Sequence, residues 1–190
     1  MQILKTKSLP HLFFLAILLS VLLITPVMAA PATKIPVTAY ANVMFGNIFT
    51  GISWTKGEIY HTKGAESIGT VTITADSGDV YPWTGTHTLI SNTTIAINQK
   101  TGTGNCHNKV IVIIKYNDEI IGTFEGSQHG NHEITPIDNK LVDVQEGGFE
   151  LHGTGEFKGL KMKGAYNGYN DVYPPSLLVE LYMNGIVLSP

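Results

Sequence analysis

Arginine is missing from this 190-residue chain, cysteine occurs once, and past the N-terminus no stretch carries the apolar period of an amphipathic helix. Each absence removes a class of protein. Without arginine there is no planar guanidinium fork for phosphate, and the twelve lysines are outnumbered by fifteen acids, which argues against nucleic-acid binding. Anionic membrane surfaces are disfavoured for the same reason. The single cysteine, Cys106, has no partner for an internal disulfide, so a hydrophobic core must hold the domain together.

What is present begins with an export signal. Lys5 and Lys7 precede the apolar run Leu12 to Ile24, broken only by Ser20, and TPVMAA then supplies small residues. The pattern reads as a secretory signal peptide over residues 1–29, cut after Ala29. An uncleaved anchor is the alternative, since extending the run through Ala30 just reaches bilayer-spanning length, but Pro26 and the small residues favour cleavage. Residues 30–190 are then expected as a single domain, secreted or otherwise extracytoplasmic, with no membrane insertion after cleavage. Removing Lys5 and Lys7 leaves ten lysines against fifteen acids, a formal charge of −5.

The mature chain reads as about ten short β-rich runs separated by Gly, Asn, Asp and Pro, among them GTVTITA, KVIVIIKY, EIIGTFEG and LLVELYMNGIVL. With no helical interruptions, they predict an all-β fold: a single antiparallel closed β-barrel of about eight strands, with a β-sandwich as the alternative. Asn117-Asp118 is expected to form a two-residue turn pairing Tyr116 with Glu119, Ile114 with Ile121 and Val112 with Thr123. On that register both faces of the hairpin are apolar, Val110, Val112, Ile114 and Ile121 on one, Ile111, Ile113, Ile120 and Phe124 on the other. A doubly apolar hairpin calls for cover on both sides, so a homo-oligomer is expected.

HGTGEFKGLKMKGAYNG, residues 152 to 168, holds five glycines but fits neither a dinucleotide fingerprint nor a P-loop. Gly153, Gly155 and Gly159 are spaced G-x-G-x-x-x-G, strand pattern follows instead of a helix, and no G-K-[ST] occurs. At period two, Phe149, Leu151, Gly153, Gly155 and Phe157 share one face, and Leu160, Met162, Gly164, Tyr166 and Gly168 continue on the opposite parity. A turn or bulge at Gly159 explains the switch, and glycine inside strands marks sharp sheet curvature. Together with IIGTFEG (residues 120 to 126), this stretch resembles the glycine-punctuated texture of allene oxide cyclase-type barrels over roughly residues 105 to 170. The resemblance implies a lipocalin-like, eight-stranded antiparallel barrel with an apolar cavity, often oligomeric. No cyclase catalytic residue carries over, because no position matches a catalytic motif.

Candidate sites are few. Cys106, His107, His129, His132, Glu133 and His152 are available as metal ligands, with His129, His132, Glu133 and His107 the preferred set. The spacing of His129 and His132 is H-x-x-H in a Gly-flanked segment read as a loop, against the H-E-x-x-H helix of a zincin. The Asn117-Asp118 hairpin predicts that the segments near Cys106 and His129 lie at the same barrel end. Cys106 beside His107 is a weaker nucleophile pair, since strand neighbours point to opposite faces. The aromatic segments YPWTG and YNGYNDVYPP suit either sugar stacking or the plugging of a barrel mouth. Asn92-Thr93-Thr94 is a glycosylation acceptor read as lying near a turn.

Two functions follow as expectations. One is a binding module that holds a small apolar ligand inside the barrel, with Trp83, Tyr81, Phe124, Phe157 and Tyr166 as its contacts. The other is an enzyme, cyclase- or isomerase-like or metal-assisted. A filled interior would leave a structural or interaction protein; no cofactor is specified.

Overall fold

The computed structural model describes residues 32–44, 51–173 and 178–190, the side chains of 172 and 173 excepted; the expected signal peptide lies outside the described residues. The chain is all-β, as the turn-punctuated runs predict. β1 (Thr33–Met44), β2 (Ile52–Lys56), β3 (Ile59–Ala75), β4 (Gly85–Asn98), β5 (Thr103–Tyr116), β6 (Glu119–Ile137), β7 (Lys140–Gly153), β8 (Lys161–Tyr173) and β9 (Leu178–Ser189) follow in order. A 3-10 turn, Gly155–Phe157, sits between β7 and β8.

β3 to β9 meander antiparallel, and β1 closes the ring by pairing with both β9 and β3. Eight strands therefore form a closed barrel, while β2 pairs only with the first part of β3 as an exposed hairpin. Closure removes the free edges that eight Val-, Ile- and Thr-rich strands would otherwise present to other chains. The register break between Lys63 and Ala65, at Gly64 with φ of 78°, separates the hairpin part of β3 from its barrel part.

The Asn117-Asp118 turn forms as expected, with both residues at positive φ (49° and 64°) and Tyr116 opposite Glu119. The register beyond it differs from the expectation by one residue. Lys115 pairs with Ile120 but Ile114 pairs with Gly122, so Ile121 is a bulge and Val112 faces Phe124 instead of Thr123. The bulge moves Phe124 from the outer face to the interior, where it is fully buried and stacks on Phe157 with ring centroids 5.5 Å apart. Gly122 permits this: a side chain there would collide with the Phe157 ring.

Period-two alternation divides the interior into two halves. Val71, Ile73, Val112, Ile114, Leu151 and Met162 fill the half near the Asn117-Asp118 turn. Ser67, Ser91, Thr93, Asn108, Gln128 and Gln145 face inward in the other half and are buried as well. The apolar half supplies the hydrophobic stabilisation that a disulfide-free domain requires. The polar half is where the chemistry lies.

Candidate functional site

One transverse row across four strands sets the site. Cys106 on β5 is opposite Gly130 on β6, Gly130 is opposite Gly147 on β7, and Gly147 is opposite Tyr166 on β8. With no side chain at either glycine, the Tyr166 ring lies across both strands and brings its hydroxyl 3.5 Å from Cys106 Sγ. A Cβ at Gly130 would meet that hydroxyl and the Glu146 carbonyl, and one at Gly147 would meet the backbone of β6. These glycines are therefore needed for close approach.

His132 is the next inward residue of β6 after Gly130, diagonal to Cys106. Its Nδ1 lies 2.8 and 3.0 Å from the two carboxylate oxygens of Asp143 on β7, and Gln145 Nε2 donates to Asp143 Oδ2 at 3.0 Å. Burial pushes the imidazole pKa down, but the Asp143 carboxylate and Cys106 outweigh it and hold it at about 9. At neutral pH the imidazole is thus held protonated against Asp143. Burial, with Cys106 beside it, pushes the Tyr166 phenol up, so it remains a protonated donor.

Four buried polar atoms here have no hydrogen-bond partner among the described residues: Asn108 Oδ1, Gln128 Nε2, His132 Nε2 and Asn170 Oδ1. Asn108 and Gln128 face each other, with Nδ2 donating to Oε1 at 3.4 Å. Turning both amides over exchanges their roles and still leaves one donor and one acceptor free. An unpartnered buried polar group costs on the order of 1–3 kcal/mol, so four in one half of a barrel imply that something polar completes them.

The expected aromatic contacts divide between the two halves. Trp83 is buried under the β3–β4 connection, stacked on Tyr81 at 4.8 Å, and its carbonyl accepts from His87 Nε2 at 3.1 Å, an arrangement that closes the apolar end. Phe124 and Phe157 fill the same half; of the five, only Tyr166 reaches the polar half. The interior void lined by Val71, Ile73, Val112 and Met162 measures about 30 Å³, and one lined by Ser91, Asn108, Gln128 and Gln145 about 20 Å³. Each is about the size of one water molecule.

The expected metal set does not converge. HGNHE is strand, not loop, in the middle of β6, so His129 and His132 fall on opposite faces at their spacing of three. His129, Glu133 and His107 point outward and are exposed, while His132 points inward. His107 is opposite His129 on the outer wall, and His129 borders an open depression floored by Gly148, Gly164 and Gly185. Among the described residues no group of three or more His, Cys, Asp or Glu side chains is arranged to hold a metal ion. The acceptor Asn92 likewise lies within β4, far from a turn, with Thr93 buried behind it.

Cys106 and His132 do meet, as their shared barrel end predicts, but inside strands and without His107. Asp143, Gln145, Asn108 and Gln128 went unrecognised in the sequence. The available signal was parity: Asp143 and Gln145 share the inward phase of Gly147, Phe149 and Leu151 on β7. Compared with protein-family models, curated proteins and solved structures, the chain matches none of them.

Proposed function

We propose that this protein is an extracytoplasmic binding module that takes a polar molecule of only a few non-hydrogen atoms into the polar half of its barrel, whose void measures about 20 Å³. The observation that carries the reading is the set of four unpartnered buried atoms on β5, β6 and β8, with donors and acceptors both present. The apolar half is closed by Trp83 and packed by Phe124 and Phe157, which favours a polar guest over the apolar one expected of such a barrel. Kinship with allene oxide cyclase-type barrels belongs to the same proposal.

Native mass spectrometry of the protein purified gently after export tests it. A retained small organic adduct, lost in Gln128→Leu while the fold persists, is the expected result. A bare subunit mass, with crystallographic waters on all four atoms, would overturn it.

A second reading rests on the outer wall. Met44, Ile68, Ile90 and Ile111 are successive register partners on β1, β3, β4 and β5, all facing outward, with Met44 at 54%, Ile68 at 55% and Ile111 at 36% exposure. A continuous apolar row of this kind favours self-association. Sedimentation of the wild type and of Ile68→Glu distinguishes them: a dimer converted to monomer supports the reading, and a monomeric wild type ends it.

A further inference from the structure

We propose that Cys106 is a reactive thiol, activated by the His132–Asp143 pair and accessible only to reagents near water in size, with hydrogen peroxide as its substrate. The proposal shares the polar half of the barrel with the binding reading but requires no bound ligand.

Three observations carry it. Asp143 holds His132 through Nδ1, and Gln145 holds Asp143, so Nε2 is the ring nitrogen left without a protein partner, on the residue diagonal to Cys106. Tyr166 places a hydroxyl 3.5 Å from the sulfur, where it can donate to a thiolate. Cys106 is 5% exposed, and the void in this half of the barrel, lined by Asn108, Gln128 and Gln145, measures only about 20 Å³, so a bulky thiol reagent is kept from the sulfur and a small oxidant is the fitting class. The high imidazole pKa supports the assignment, since His132 then carries a proton at neutral pH.

In the step itself, the thiol gives its proton to water beside the imidazolium, the thiolate attacks one peroxide oxygen, and the proton given to water later restores the imidazolium. The S–O bond forms as the O–O bond breaks; the departing hydroxide takes the proton from Nε2 and leaves as water. Sulfur is oxidised by two electrons to the sulfenic acid, and peroxide is reduced. Asp143 is a positioning residue that fixes the imidazole and stabilises its cation.

The exported protein is exposed to hydrogen peroxide at neutral pH, quenched with catalase, unfolded in urea and titrated for remaining thiol. Folded wild type is expected to lose Cys106 at least about tenfold faster than the urea-unfolded chain, and His132→Gln or Asp143→Asn to lose that advantage, in line with general acid–base contributions. Toward dithionitrobenzoate the order reverses, the folded thiol reacting at least about tenfold more slowly, because that reagent is excluded. Folded wild type oxidised no faster than the unfolded chain overturns the proposal, as does equal reaction with both reagents. This comparison within the wild type stands even where a variant fails to fold. A protein that reacts with peroxide yet retains no adduct separates this inference from the binding reading.

Discussion

Tyr166 reaches Cys106 over the backbones of two intervening strands, its hydroxyl 3.5 Å from the sulfur, because Gly130 and Gly147 leave nothing in between. The ring in turn covers the glycine backbones, so four strands, β5 to β8, are tied together by one side chain. Gly130→Ala places a methyl group against both the hydroxyl and the Glu146 carbonyl. It is expected to destabilise the barrel by about 1–3 kcal/mol, the usual range for overpacking. Tyr166→Phe keeps the ring and loses only the weak S/O contact, so it should cost less than about 1 kcal/mol. Urea titrations of the two variants check the order; a larger loss for Tyr166→Phe would mean that the hydroxyl, and not the glycine gap, is what matters.

His132 should give the stability a pH dependence of definite sign. Its pKa is about 9 in the folded state, against an ordinary value of about 6.5 in the unfolded chain. The folded state therefore holds the proton more tightly, and the contribution is complete below about 6.5 and lost as pH rises through about 9. Burial lowers the imidazole pKa, while the groups that raise it are Asp143 on β7 and Cys106 on β5, of which Asp143 contributes more. At roughly 1.4 kcal/mol per pKa unit, the loss is on the order of 3 kcal/mol. Urea midpoints between pH 6 and 10 should fall in the wild type and stay flatter in His132→Gln; parallel profiles would remove His132 as the cause.

Closure of the apolar end depends on Trp83. The indole is buried, stacks on Tyr81, and its carbonyl receives the His87 ring. Trp83→Ala is expected to cost about 3–5 kcal/mol, the range for a large buried aromatic. Differential scanning calorimetry measures it, and a loss under about 1 kcal/mol would show that the β3–β4 connection is a loose flap and that the apolar half is open.

How far the sequence disclosed these features depended on whether period two held. Where it did, as on β7, the inward phase was legible, and both the barrel and the curvature glycines could be read. It fails at Ile121, because a bulge adds a residue without any compositional mark, and the period-two pattern therefore puts Phe124 on the outer face although it is buried inside. HGNHE has the composition of a loop for a related reason: Gly and Asn are poor strand formers, yet the ladder to β5 and β7 continues through them. The His132–Asp143 pair depends on a register between strands joined by the turn at Asp138-Asn139, and local sequence carries little information about which inward residues a register brings together.

The Asn117-Asp118 turn offers the cleanest test of local against global control. Both residues sit at positive φ, where an L-residue other than Asn or Asp is strained, and Asp118 at 64° is the one that glycine would relieve. Asp118→Gly converts the turn to Asn-Gly, the strongest two-residue hairpin signal. A gain of about 0.5–1 kcal/mol is expected, reduced by the extra freedom glycine gives the unfolded chain. The same change at Asn139, with φ of 63° in the matching turn between β6 and β7, should act in the same direction. If both substitutions stabilise, the turns hold some local strain and the register is set by inward packing of Phe124 and His132. If Asp118→Gly destabilises while Asn139→Gly does not, the Asp118 side chain contributes to the turn itself, and the bulge at Ile121 is maintained from the turn and not from the core.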